Sequence, residues 1–387
     1  MADPSPAVIY LASPADLDAA QLTVAGRPVV FRAIAGAVRA GACRVFVPAR
    51  FQEILTPALA SAPRVARAVE WLTAATPSPA VALLVPATAV VGAGAIATML
   101  TTPPPTVHDG SRTAGVPLVV ASATLLGSLW RALASGAPVG VMLDKALANP
   151  SMETVRESSL VHAVRDASSA HAGERQLYAT LGSAIDTRFD TVFHRRFSRV
   201  ISRAAVARGV TANPITVGSL LVGLLAAWAF WRATPGEAVV GLVLYAIAVI
   251  LDHADGEVAR LTLTESALGE WLDIAADTII HVAVVLALGV TSGAVTGAGT
   301  TLGVVAAVGV IASAAVAKAW PGLAMPDRVG TAIAGLGSRD GFYLLLLAFI
   351  AARALWPAAL PWLMVMVAGG SHAYWVGRAV YRLTRGT

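Results

Sequence analysis

The sequence predicts an α-helical membrane domain of six transmembrane helices behind an N-terminal soluble α/β domain. Three observations carry that reading. Apolar residues make up 56% of the 387 and charged ones only 13%, against about 25% charged in ordinary soluble domains. Before residue 180 the apolar residues come in short runs between helix-like stretches, and after residue 210 they come in long runs. Seven of the ten acidic residues beyond Gly209 nevertheless crowd between Asp252 and Asp277, where lipid-facing helices should carry almost none.

Residues 1–180 read as the soluble unit. Val8–Leu11, Arg44–Val47, Val81–Val85 and Pro117–Ala121 have the length and composition of buried strands. Pro28–Ala40, Ala93–Leu100 and Ala123–Ser135 read as helices. Strands separated by helical segments imply a mostly parallel, doubly wound, Rossmann-like sheet. The run Val24-Ala-Gly-Arg-Pro-Val-Val-Phe-Arg-Ala-Ile, followed by Ala40-Gly-Ala-Cys-Arg-Val-Phe-Val, resembles the early part of sugar-nucleotide and cytidylyl transferases. That resemblance implies a Gly-rich phosphate loop after the first strand and a metal-binding Asp after a central one. Here those places read Ala12-Ser-Pro-Ala-Asp-Leu-Asp-Ala-Ala and Leu84-Val-Pro-Ala-Thr-Ala. With neither glycine loop nor carboxylate, the domain is expected to be a degenerate, structural or regulatory relative.

The single cysteine, Cys43, excludes an intrachain disulfide and a Cys-rich zinc site. Met1–Pro6 has no basic cluster, and the apolar run Ala7–Ala12 is too short for a signal peptide. The net charge of +5 would suit nucleic acid or anionic lipid, and its distribution favours lipid. Residues 185–210 hold Arg188, His194, Arg195, Arg196, Arg199, Arg203 and Arg208, interleaved with Phe189, Val192, Phe193, Phe197, Val200 and Ile201. This spacing predicts an interfacial amphipathic helix in the headgroup plane of an anionic leaflet. No nucleic-acid partner is expected, because lipid spans follow at once.

The membrane domain is expected over residues 211–387, with spans at about 213–232, 236–259, 267–290, 295–317, 339–355 and 359–381. Basic residues gather before the first span, between the fourth and fifth (Lys318, Arg328, Arg339) and after the sixth (Arg378, Arg382, Arg385), whereas the opposite loops hold only Arg232 and Arg353. An even span number with this bias puts both termini on the cytoplasmic side of an inner or plasma membrane.

The clustered acids read Asp252-His-Ala-Asp255-Gly256-Glu-Val-Ala259-Arg260, then eight residues, then Gly269-Glu-Trp-Leu-Asp273-Ile-Ala-Ala-Asp277. Average residue usage would produce these fixed positions by chance in fewer than about one chain in a million. The pattern resembles, position for position, the signature of the CDP-alcohol phosphotransferases, and the resemblance covers roughly residues 185–387. Physical reasoning points the same way. Asp252 and Asp255 share one helix face, as do Asp273 and Asp277, and a turn at Leu261–Ser266 makes the two helices antiparallel neighbours. Four converging carboxylates require cations, and oxygen ligands select Mg²⁺ or Mn²⁺. Two such ions about 4 Å apart can clamp a diphosphate.

The resemblance implies roles as well. Asp252, Asp255, Asp273 and Asp277 would hold the metals. Asp277 would lie near the metals and act as general base on the acceptor hydroxyl, with CMP leaving. Asn213, Pro214 and Thr216, at the start of the first span, together with Asp252, Gly256, Ala259 and Arg260, would contact the nucleotide. Ser338-Arg339-Asp340 resembles the branch that makes inositol phosphodiesters, some of whose members carry a fused cytidylyltransferase domain. Lys318, Arg328 and Arg339 would hold an acceptor phosphate or act as topology anchors. His253 is expected to turn away from the metals. The family implies a CDP-linked donor (CDP-diacylglycerol or a CDP-alcohol), an alcohol acceptor such as inositol or inositol phosphate, a lipid bilayer and a homodimer. Two alternatives stand beside this reading: a bifunctional enzyme that also makes its CDP donor, and a cation-binding transporter.

Overall fold

In the N-terminal part, strand β1 (Ala7–Tyr10) is wholly buried, and its side chains alternate between two cores as a strand's must. Val8 and Tyr10 join one apolar cluster and Ala7 and Ile9 the other. A strand buried on both faces needs helices on both sides. Helices α1 (Val29–Arg39) and α2 (Ala93–Thr101) supply one side, through Phe31, Ile34 and Ile96. Helices α3 (Ala123–Ser135) and α4 (Gly140–Leu147) supply the other, through Leu126, Leu129, Leu133 and Leu143.

The computed structural model describes residues 5–182, 190–232, 234–320 and 338–385. They divide into two compact units: Met1–Leu181 with Arg260–Thr264, and Gly182–Ala259 with Glu265–Thr387. In the first unit the remaining strands are β2 (Val45–Pro48), β3 (Val69–Leu72), β4 (Val81–Pro86), β5 (Thr106–His108), β6 (Val119–Ser122) and β7 (Glu153–Val155). With β1 they form a seven-stranded sheet in the order β7-β5-β6-β4-β1-β2-β3. Only β6 runs antiparallel to its neighbours, so the expected mostly parallel, doubly wound sheet is present. The turn before α1 places Ala25 at φ 45° and Gly26 at φ 74°, the left-handed pair that a two-residue hairpin needs.

The loop after β1 explains the missing phosphate signature. Asp16 Oδ2 accepts the backbone N–H groups of Ala12 (2.7 Å) and Ser13 (3.2 Å), and its Oδ1 accepts the Ser13 hydroxyl (2.7 Å). Donors that could cradle a phosphate are thus already occupied by a carboxylate. Gly140 packs across the same loop, where a Cβ would stand 2.4 Å from the Ala12 carbonyl oxygen.

The second unit begins with a short π-turn, Asp190–His194, that leads into α5 (Arg195–Ala207). Helices α6 (Ala212–Arg232), α7 (Pro235–Thr262), α8 (Ala267–Thr296) and α9 (Gly299–Ala319) follow, then α10 (Arg339–Leu355) and α11 (Leu360–Arg385). Four described helices, α6 to α9, are long and apolar enough to cross a membrane. Phe230, Tyr245 and Ile280 of α6, α7 and α8 pack with Leu346 and Phe349 of α10 and Met364 of α11 in one core. Leu221, Trp228, Val243, Val308 and Ile311 point outward, as lipid-facing side chains do. α8 runs past its predicted end at residue 290 and stops where Gly297 turns to φ 74°. Small residues let α8 and α9 touch: a Cβ on Gly289 would lie 2.6 Å from the Gly303 Cα, a small-residue seam of the kind membrane helices use.

The expected interfacial segment departs from expectation at two of its basic residues: His194 is fully buried in the turn before α5, and Arg195 is buried on α5 itself. Phe197 and Val200 face outward beside Arg196 and Arg203, but Arg195 does not. It is 4% exposed and lies on a polar inner face with Ser198 and Ser202. The reason is a buried carboxylate: Arg195 Nη1 donates to Glu257 Oε1 at 3.0 Å.

Candidate metal centre

The helices α7 and α8 bring three of the four predicted carboxylates together. Ser266 caps α8 by accepting the Gly269 N–H at 3.0 Å, which satisfies one of the orphan donors at a helix start. With α7 ending at Thr262 and α8 starting at Ala267, one oxygen from each of Asp252, Asp255 and Asp273 lies within 4.8 Å of the others. Asp252 and Asp273 are within hydrogen-bonding reach of each other. Asp255 is 4% exposed, and its Oδ2 is buried with no hydrogen-bond partner among the described residues.

A buried, unpartnered carboxylate oxygen is costly, and three close carboxylates repel one another. A divalent cation with oxygen ligands would relieve both penalties, so this donor set fits Mg²⁺ or Mn²⁺. Asp277 follows Asp273 by one helical turn but lies outside the group of three. Its carbonyl accepts the His281 Nδ1–H at 2.7 Å, and the other His281 nitrogen meets the Tyr245 hydroxyl at 3.1 Å.

The other predicted residues fall at varying distances from this centre. The Thr216 side chain faces the Asp255 carboxylate. Asn213 and Pro214 stand exposed at the start of α6, and Asn213 Oδ1 lies 3.6 Å from where a Gly269 Cβ would be. Gly256 and Ala259 are half-buried on α7. Arg260 belongs to the segment grouped with the N-terminal unit. Arg339 Nη2 donates to Asp252 Oδ2 at 2.5 Å, and its Nη1 lies 3.0 Å from His253 Nε2. Lys318 is engaged elsewhere, by an ion pair with Glu270 and by the Trp271 ring 5.2 Å away. Arg328 lies outside the described residues. His253 turns to Asp190, with 3.0 Å between Nε2 and Oδ1.

Two buried residues beside the centre are not evident from the motif. Glu257 is fully buried, although the signature treats its position as free. Asp190 is 1% exposed and contacts both His194 and His253. A faint signal exists in the sequence: Arg195, Ser198 and Ser202 fall on one face of α5, and His253 and Glu257 fall four apart on α7.

The CDP-alcohol phosphatidyltransferase family matches this chain over residues 209–372. The bifunctional IPC transferase and DIPP synthase of Archaeoglobus fulgidus is 34% identical over 105 residues, which are 26% of this chain and 21% of that protein. The match therefore spans about a fifth of that relative's length. A solved structure, Mycobacterium tuberculosis phosphatidylinositol phosphate synthase (PgsA1) with CDP-DAG bound, aligns with 49% of this chain and 94% of its own. Its sequence identity is 21% and its TM-score 0.41. The family match runs from α6 through α10 into α11, and the carboxylate group lies inside it, so the C-terminal part of this chain is similar to the CDP-alcohol phosphatidyltransferases.

Proposed function

We propose that this chain is an integral membrane CDP-alcohol phosphotransferase that moves a substituted phosphate from a CDP-linked donor to an alcohol and releases CMP. The observation that carries the proposal is the convergence of Asp252, Asp255 and Asp273 within 4.8 Å. A divalent pair held there, Mg²⁺ or Mn²⁺, would supply Lewis-acid charge to the diphosphate. The chain's own residues do the rest. Asp277, one turn beyond Asp273, takes the proton from the acceptor hydroxyl. The acceptor oxygen then bonds to the phosphorus that carries the alcohol, and the bond from that phosphorus to CMP breaks, with CMP keeping the electron pair. Thr216, beside Asp255, is proposed as a nucleotide contact with Asn213, Pro214, Asp252, Gly256 and Ala259, and Arg260 is added on its place in the sequence motif alone.

Arg339 is the proposed acceptor-phosphate contact. Its bond to Asp252 holds the guanidinium at the edge of the carboxylate group, and a guanidinium fork suits a phosphate better than an ammonium does. Inositol phosphate is the acceptor favoured by the Ser338-Arg339-Asp340 resemblance, and inositol remains in the class. Lys318 and Arg328 are further acceptor-phosphate candidates from the sequence alone, and Lys318 would have to leave its ion pair with Glu270 to serve. The membrane domain is proposed to have six spans, with α10 and α11 joining the four apolar helices, a cytoplasmic site and termini, and a homodimeric assembly. A transporter would spread its acids over several helices, whereas α7 and α8 alone carry these.

A chain that also made its own CDP donor would need nucleotidyl transfer by residues 1–181. The Asp16 carboxylate seated on the Ala12 and Ser13 N–H groups opposes that second reading.

Three tests follow from this site. Asp252→Asn, Asp255→Asn and Asp273→Asn should each lower Mg²⁺- or Mn²⁺-dependent CMP release by roughly a hundredfold or more. Near-normal turnover in two of the three would refute the metal reading. In the same assay Arg339→Ala should raise the KM for a phosphorylated acceptor about tenfold while moving the donor KM far less; equal effects on both would leave Arg339 a topological anchor. Given CTP and a phosphorylated alcohol, the protein should release no pyrophosphate, and release above background would restore the bifunctional reading.

A further inference from the structure

α7 carries a second polar face that the transfer reaction does not use. Successive residues on an α-helix are about 100° apart. Asp255 and Glu257 therefore point roughly 200° apart, and His253 joins Glu257 on the side turned to α5. Glu257 is fully buried, an environment a carboxylate tolerates only when its oxygens are satisfied. Its Oε1 accepts Arg195 Nη1–H at 3.0 Å and the Ser198 hydroxyl at 2.8 Å. Its Oε2 accepts the Ser202 hydroxyl at 2.6 Å. One turn back along α7, His253 Nε2 lies 3.0 Å from Asp190 Oδ1. Asp190 Oδ1 also accepts His194 Nδ1–H at 2.8 Å, and the Tyr343 hydroxyl meets His194 Nε2 at 2.9 Å.

These two rungs tie α7 to the segment 190–207 at fixed rotation and height. Sliding or turning α7 by one residue would strip three hydrogen bonds from a buried charge. The metal-facing aspartates are on the same rigid helix, so the seam also sets where they point. We propose that Glu257, supported by Asp190 and His253, is a positioning residue that fixes the rotation of α7 so that Asp252 and Asp255 meet Asp273. The inference rests on the reading of those aspartates as a cation site.

A rival use of the upper rung is a metal centre of its own, since Asp190, His194 and His253 offer atoms within 4.8 Å of one another. The hydrogen bonds already present oppose it: Asp190 Oδ1 accepts His194 Nδ1–H at 2.8 Å, and His194 Nε2 meets the Tyr343 hydroxyl at 2.9 Å, so both ring nitrogens of His194 are engaged.

The test is Mn²⁺ binding to the full-length protein in detergent, followed by electron paramagnetic resonance, with melting temperature measured alongside. Glu257→Ala should weaken Mn²⁺ binding about tenfold, the scale of other losses of support behind metal ligands, and Glu257→Gln should recover most of it. Should Glu257→Ala fail to fold, Ser198→Ala combined with Ser202→Ala keeps the ion pair with Arg195 and should still weaken binding about threefold. A lowered melting temperature with unchanged Mn²⁺ affinity in the folded variants would overturn the positioning role alone. Absence of Mn²⁺ binding in the unmodified protein would overturn the cation-site reading and this inference with it. A stoichiometric transition metal in the purified protein, lost in His194→Ala, would replace the seam with a structural metal centre.

Discussion

Carboxylates in a bundle built for lipid are the constraint on which the rest of the second unit depends. Asp252, Asp255 and Asp273 sit on helices whose outer faces are Trp, Leu, Val and Ile. Each charge in such surroundings must be compensated or it destabilises the fold. Arg339 compensates part through Asp252, and the buried Asp255 Oδ2 has no partner among the described residues. A cation bound there would therefore also stabilise the hairpin, because whatever binds the folded state alone favours it.

The same constraint accounts for the polar seam between α5 and α7. A helix that presents charge on one side and must hold that side still cannot rely on apolar packing alone, which tolerates small rotations. Glu257, with bonds from three side chains on one face of α5, has a directional requirement that apolar contacts lack. The cost of burying it buys a single rotation of α7. Away from this seam the bundle uses shape instead, as where Gly289 meets Gly303.

The carboxylate group was legible in the sequence because its information is local. Intervals of three and four residues put pairs of acids on one helix face, and a short turn puts the two faces together. The central strands of the sheet were legible for a similar reason, as apolar runs of strand length. β3, β5 and β7 were not: β3 carries Glu70, and β5 and β7 are three residues long, with Thr106, His108, Glu153 and Thr154 among them. Arg195 was read as a headgroup-facing cation because its partner, Glu257, lies 62 residues away. No local pattern announces a pairing at that distance. The contact of His253 with Asp190 was not legible, because it depends on where the turn before α5 lies.

The most direct measurement of the carboxylates' role is an anomalous-difference map from crystals of the protein soaked in Mn²⁺. Cation density lying between Asp252, Asp255 and Asp273 is the expected result, with the Arg339 guanidinium beside it. Density absent from that group in Mn²⁺-saturated crystals, or present only between His194 and His253, would contradict the proposed chemistry.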